Sequence, residues 1–232
     1  MIMTLLEAIK QRHSVRRYVH KPLSAEIVET LRKKIEECNA EGGLHIQLVT
    51  NETRAFTGLF SYGKFSGVEN YIVMVGKKAD DLDERVGYYG EQLVLLAQTL
   101  GLNTCWAGLS YRRVDEAYSV GDDEKLTCMI ALGYGATQGH KRKSKTAEQV
   151  SNISSDSPEW FRNGVEAALL APTAINQQKF SFTLLPNEQD TEDKPKVLAK
   201  RGFSMVGYTK MDIGIARLHF EIGAGMENFD WA

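Results

Sequence analysis

Four short segments hold side chains suited to gripping a ligand. Arg12-His13-Ser14-Val15-Arg16 follows the first apolar stretch of the chain. On an extended backbone alternate residues point the same way, so Arg12, Ser14 and Arg16 would share a face. Two guanidinium forks and a hydroxyl make a cradle for a phosphate monoester. The same residues also fit a solvated basic turn. The second segment runs from Ala171 to Phe180, where Pro172, Thr173 and Ala174 allow close backbone approach. Its Asn176 and Gln178 carry amides able to donate to and accept from the edge of a heterocycle. An ordinary polar helix-to-strand loop is the competing reading. In the third segment, Asn103 to Leu109, the backbone amides of Ala107 and Gly108 are unobstructed enough to reach a ring nitrogen. A core strand filled by Trp106 accounts for it equally well. The fourth is the cationic run from His140 to Lys145. It reads as a solvated loop, as a patch for nucleic acid, or as extra charge for a phosphate from Arg142, Lys143 and Lys145.

Other chemistries lack their residues. The 5 histidines are scattered without ligand spacing, so no metal site is expected. Gly133-x-Gly135-x-x-x-Gly139 has one residue too many for a dinucleotide fingerprint and leads into basic residues rather than an apolar helix. There is no G-x-S-x-G elbow, and Cys105 has no base nearby in sequence. No catalytic side-chain set is expected.

The elements that must carry these segments are legible from periodicity. Thr4 and Glu7 form a capping box ahead of a helix ending near Gln11 or Arg12. Ser24 caps a second helix running to about Cys38. Leu44, Ile46 and Leu48 alternate as a half-buried strand does, and Tyr71 to Gly76 is a buried one. Val86 to Leu100 is a helix apolar on more than one face, hence central, and Gly101 stops it. Strands follow at Thr104 to Leu109 and Leu126 to Leu132, with a short helix at Val114 to Tyr118 between them. Gly139 to Asn152 is a long polar connection. A second unit opens with Ser157 as cap and Pro158 in the first turn of a helix to Leu170. It continues with a strand at Phe180, Phe182 and Leu184 and a helix from Met211 to Met226. The two units echo each other in element order. The stretch ending L-V-T-N-E at Glu52 is matched by L-L-P-N-E at Glu188, as a degenerate internal duplication would leave.

Composition narrows the class. A chain of 232 residues buries a large core without staples, and a net charge of -2 argues against a dedicated nucleic-acid binder. The 3 cysteines form no C-x-x-C pair, which suits a reducing compartment. No apolar run approaches the roughly 20 residues a membrane span needs. Met1 to Arg12 does not read as a signal peptide, and the cytoplasm is the expected location.

Taken together, the segments resemble the FMN-dependent nitroreductase family. Arg12 to Arg16 is similar to its R-x-S-x-R phosphate-binding segment. Ala171 to Phe180 resembles its A-P-S-S-x-N-x-Q-P-W loop, departing at Thr173, Ala174, Lys179 and Phe180. Gly90 to Gly108 resembles its central helix and G-L-x-T-C-W-x-G turn, and Gly133-Tyr134-Gly135 with the later basic residues its C-terminal segment. The resemblance implies an α+β fold, a mostly antiparallel sheet flanked by helices, in one domain spanning 1–232. It implies one FMN held by Arg12, His13, Ser14, Arg16, Ala107, Gly108, Arg142, Lys143, Lys145, Pro172, Thr173, Ala174, Asn176 and Gln178. NAD(P)H would be the electron donor, and a nitroaromatic, quinone or similar small molecule the acceptor. In that family the N-x-Q loop follows soon after R-x-S-x-R, and two subunits build each site. Here Cys38 to Gly43 has lost the loop, which reappears in the second unit. The chain thus resembles a fused dimer, with intertwined halves of about 1–152 and 153–232, one surviving site and no need of a partner chain. A flavin carrier or sensor without turnover is the alternative, and a nucleic-acid role for the basic run a lesser one.

Overall fold

Thr4 opens α1 (Leu5–Gln11) with the expected reciprocal cap: its hydroxyl accepts from the Glu7 N–H while the Glu7 carboxylate accepts from the Thr4 N–H. The computed structural model describes residues 3–58, 64–140, 142–186 and 194–232. Lys141 and the Asn187-Glu188 end of the second sequence echo lie outside them. Ser24 caps α2 (Ala25–Gly42), which runs a turn beyond Cys38 because its stop is Gly43, at φ 57°.

The first sheet holds β1 (Gln47–Val49), β2 (Asn70–Lys77), β3 (Asn103–Ala107) and β4 (Glu124–Gly133) in the order β1-β2-β4-β3, all antiparallel. β2 is buried on both faces, which explains its unbroken apolar run. Ile72 and Met74 face the main core, while Tyr71, Val73 and Val75 face a second one. A register shift between Met74 and Val75 interrupts the ladder with β4. The expected helix at Val114 to Tyr118 is a single turn. Ala117 bonds back to the Val114 carbonyl, and the Tyr118 hydroxyl takes the Val114 N–H, so the turn does not propagate.

The later elements are α4 (Glu159–Leu169), β5 (Phe180–Leu184), β6 (Lys196–Arg201), α5 (Thr209–Ala224) and β7 (Asp230–Trp231). Pro158, rather than Ser157, occupies the cap of α4, and the Ser157 hydroxyl serves the turn at Ser154. β6 and β7 have no counterpart in the sequence reading. β6 pairs antiparallel with β5 and parallel with β7. Its lone fully buried side chain, Val197, left too short an alternation to notice. The result is the expected α+β architecture, mostly antiparallel sheet flanked by helices.

α3 (Leu82–Thr99) is the central helix and packs against α5. The contact is reciprocal. A Cβ on Gly87 would overlap the Met211 carbonyl and crowd the Ile215 nitrogen, and a Cβ on Gly214 would overlap the Glu84 carbonyl and the Tyr88 nitrogen. Only glycine permits backbones to approach so closely. The main core runs without a break from Leu31 in α2 to Phe229 before β7, joining both units.

Candidate functional site

Between the ends of β3, the 172–178 loop and the start of α5 lies an open cavity of about 590 Å³, solvent at its mouth included. Its first wall is the basic segment. After α1 the chain is extended at Arg12 and runs parallel to β3, with the Val15 N–H on the Thr104 carbonyl at 3.0 Å and Val15 fully buried. Ser66 fastens the next residues by donating its N–H to the Arg16 carbonyl. Ser14 and Arg16 are thereby turned to the cavity. Arg16 is exposed, and its guanidinium has no hydrogen bond or ion pair among the described residues.

The second wall is the end of β3: Trp106, Ala107 and Gly108. It is anchored from behind. The Trp106 indole N–H donates to Glu91 Oε2 at 2.9 Å, and Glu91 Oε1 lies 2.9 Å from His219 Nε2, both side chains being fully buried. His219 Nδ1 lies 3.1 Å from the Ala167 carbonyl, which can only accept, so that nitrogen carries a hydrogen. With Nδ1 donating, the 2.9 Å contact requires a second proton between His219 Nε2 and Glu91 Oε1, and each oxygen of the buried carboxyl then has a hydrogen-bond partner.

The third wall is Pro172, Thr173, Ala174 and Ile175. Three non-glycine residues of this loop have left-handed backbone: Ile175 at φ 46°, Asn176 at 59° and Gln178 at 45°. For a β-branched isoleucine this is a genuine outlier, and it persists only where neighbours over-determine the chain. They do. Asp212 accepts the Ala174 N–H at 2.9 Å and the Gln177 side-chain amide at 2.7 Å. Thr173 Oγ1 accepts the Gln178 N–H. On the far side Arg142 donates to Asn176 Oδ1 and to the Leu169 and Ala171 carbonyls.

The floor comes from α5 and β4: Tyr208, Met211, Asp212, Ile215 and Cys128. The Tyr208 ring lies against Gly108, where an added Cβ would sit 2.6 Å from its hydroxyl. Burial pushes the Asp212 carboxyl up to about 6, with the Ala174 and Gln177 donors pulling the other way.

Of the residues singled out in the sequence, Ser14, Arg16, Ala107, Gly108, Pro172, Thr173 and Ala174 meet at this cavity. The others do not line it. Arg12 is buried behind, with Nη1 near the Leu170 carbonyl and Nε unpartnered among the described residues. Arg142 lies close by; burial, and then the charge of Arg12, lower its guanidinium to about 10. Both arginines thus serve the carbonyl end of α4, where cations are favoured. His13 turns to the Gln11 carbonyl. Asn176 and Gln178 face away, donating to the Lys143 carbonyl, and Lys145 bonds Gln178 through its backbone N–H and its ammonium. The sequence reading missed Tyr208, Met211, Asp212, Ile215, Cys128, Trp106 and Ile175. A signal existed for Asp212, an acid inside an apolar helical stretch, and for Glu91 likewise.

A model of the family described as "Putative TM nitroreductase" matches residues 4–224. The chain belongs to that family. No curated protein matches it. Among solved structures it is similar to a putative nitroreductase from Thermotoga maritima MSB8, at 23% identity and a TM-score of 0.62, over 96% of this chain and 84% of that one. It is also similar to a putative nitroreductase in complex with FMN from Desulfovibrio desulfuricans, at 17% identity and a TM-score of 0.51, over 66% of this chain and 98% of that one. Nitroreductase A from Vibrio parahaemolyticus matches at 16% identity and a TM-score of 0.53, over 66% and 78%. Among the described residues no helix is long and apolar enough to cross a membrane, and no group of His, Cys, Asp or Glu could hold a metal ion.

Proposed function

We propose that this cavity binds one FMN and that the protein is an NAD(P)H-dependent flavin oxidoreductase acting on nitroaromatic, quinone or related small molecules. One observation carries the proposal: three segments distant in sequence, chosen for their chemistry, bring Ser14 and Arg16, Ala107 and Gly108, and Pro172 to Ala174 to one cavity. The residues fit the group. Arg16 offers a phosphate a guanidinium that has no partner among the described residues, with Ser14 beside it, and Arg12 stands a layer behind. The Ala107 and Gly108 backbone carries no bulky side chain of its own at this wall, and the Tyr208 ring lies against Gly108. When bound, FMN supplies the electron chemistry, and the protein's part is binding, orientation and electrostatics. The Glu91 anchor on Trp106 and the clamped loop hold both walls before any ligand arrives.

The site is proposed to be complete within one chain, in one domain built by internal duplication. Apart from α1 and β4, which have no counterpart in the second unit, the first unit runs α2-β1-β2-α3-β3 and the second α4-β5-β6-α5-β7. Gly87 and Gly214 make the same contact on each other's helix, the reciprocity expected across a two-fold axis. Positions 208, 211, 212 and 215 at the cavity each stand 127 residues after positions 81, 84, 85 and 88. Those four line a second depression on α3, where charged side chains pair with one another, Arg85 with Asp81 and Arg217 with Glu84. That depression reads as the site the duplication gave up. A reducing cytoplasm suits the three free, buried cysteines.

The test is the visible spectrum of the purified protein with added FMN, followed by NADH and NADPH. Bound flavin that is reduced and reoxidised by an acceptor is expected. Bound flavin without turnover would make the protein a carrier or sensor, and failure to bind FMN would overturn the proposal.

A further inference from the structure

Asp212 is a carboxyl that the fold has little reason of its own to keep. It is 2% exposed, lines the cavity floor and has two hydrogen-bond donors, the Ala174 N–H and the Gln177 amide, both neutral. Among the described residues no cation pairs with it. Arg16 lines the same cavity from the first wall without bonding to it, and β4 contributes only the Cys128 thiol. On α3, Glu84 is paired with Arg217. Tyr208, at the cap of α5, lies against Gly108, and Lys210 in its first turn turns out to the Asp80 carbonyl. Arg201 of β6 reaches Thr209. An isoelectronic amide would clamp the loop's Ala174 N–H without the cost of burying a charge. A buried titratable group without a charge partner, facing a cavity, is where chemistry rather than stability explains the residue.

We propose that Asp212 is the proton-linked charge of the cavity: bound flavin and this carboxyl titrate as a coupled pair. The proposal rests on the FMN reading above. Electrons added to a flavin bring proton uptake with them. In a low-dielectric cavity a fixed carboxylate opposes the added negative charge, and the protonated acid does not. Each group's protonation therefore depends on the other's state, and the observed midpoints belong to the pair. The raised titration range of Asp212, about 6, brings the switch close to neutral pH. The neutral donors Ala174 and Gln177 hold the carboxyl at the cavity wall in either form.

The experiment is a potentiometric titration of the FMN-loaded protein between about pH 5 and 8, for wild type, Asp212→Asn and Gln177→Leu. The wild-type midpoint potential should change slope with pH across the range in which Asp212 titrates. Asp212→Asn should lose that bend and lie at more positive potential above it. Gln177→Leu loosens the loop but leaves the carboxyl, and should keep the bend. Asp212→Asn running parallel to wild type throughout would overturn the proposal. If Asp212→Asn fails to hold FMN, carbon NMR of the wild-type Asp212 carboxyl decides: its titration midpoint should move when FMN is added, and an unmoved midpoint overturns the proposal. Wild type that takes up no FMN removes the flavin reading, and the proposal with it, and is told apart from the other failures by the absent spectrum.

Discussion

At the scale of single residues, two arginines of one short segment do different work. Arg16 presents to the cavity a guanidinium without a partner among the described residues, whereas Arg12 is buried against the Leu170 carbonyl. Arg16→Ala should weaken FMN binding by about tenfold or more, the worth of one charge-assisted hydrogen bond, and leave thermal unfolding unchanged. Arg12→Ala should lower the melting temperature, since it strips a cation from the carbonyl end of α4. Equal effects of the two substitutions on affinity and on melting would refute this division. Asp212 makes a pH prediction with a definite sign. Its folded titration point, about 6, is above its ordinary 3.8, so its contribution to stability is fully present below 3.8 and lost as pH rises through 6. The loss is on the order of 3 kcal/mol. Asp212→Asn should therefore gain on wild type in melting temperature between pH 4 and 7, and a constant difference would contradict the assignment. That a guanidinium and small residues gather at the cavity was legible in the sequence, because such side chains advertise their chemistry. Their directions were not. Alternation on an extended strand placed Arg12, Ser14 and Arg16 together, but the turn out of α1 sends Arg12 inward.

At the scale of elements, the sequence spoke clearly wherever one periodicity covered several turns or a whole strand. α1, α2, α3, α5, β2 and β4 all begin or end within a few residues of their expected places. It failed where stability comes from partners distant in sequence. β7 is two residues long and exists because β6 lies beside it. The orientation of Asn176 and Gln178 was unreadable because it depends on backbone at positive φ, held there by Asp212 and Arg142. The α3–α5 crossing offers a sharper test. Gly87→Ala and Gly214→Ala each drive a methyl into the facing backbone, and each should destabilise by about 1–3 kcal/mol or more through overpacking. Once the helices are forced apart by one methyl, the second costs less. The double variant should be more stable than additivity allows, which chemical denaturation of the four proteins would show. Strict additivity would mean that the two contacts are independent.

At the scale of the whole molecule, the expected stoichiometry is one FMN per chain, with melting and flavin affinity independent of protein concentration. Two flavins per chain, or a site needing a second copy, would overturn the single-chain reading. The walls of the cavity have a further consequence. Ser14, Arg16, Ala107 and Gly108 all precede the exposed stretch 136–138, and Pro172 to Ile175, Tyr208 and Asp212 all follow it. The clamps of the loop, Arg142 and Lys145, also lie after it. A nick after Gln138 would divide the polypeptide so that neither fragment encloses the proposed flavin pocket, while the seam between them is the core-forming contact of α3 with α5. The two pieces, fused to any pair of interacting proteins, would turn yellow only on meeting, which makes this fold a candidate split reporter whose chromophore is its own cofactor.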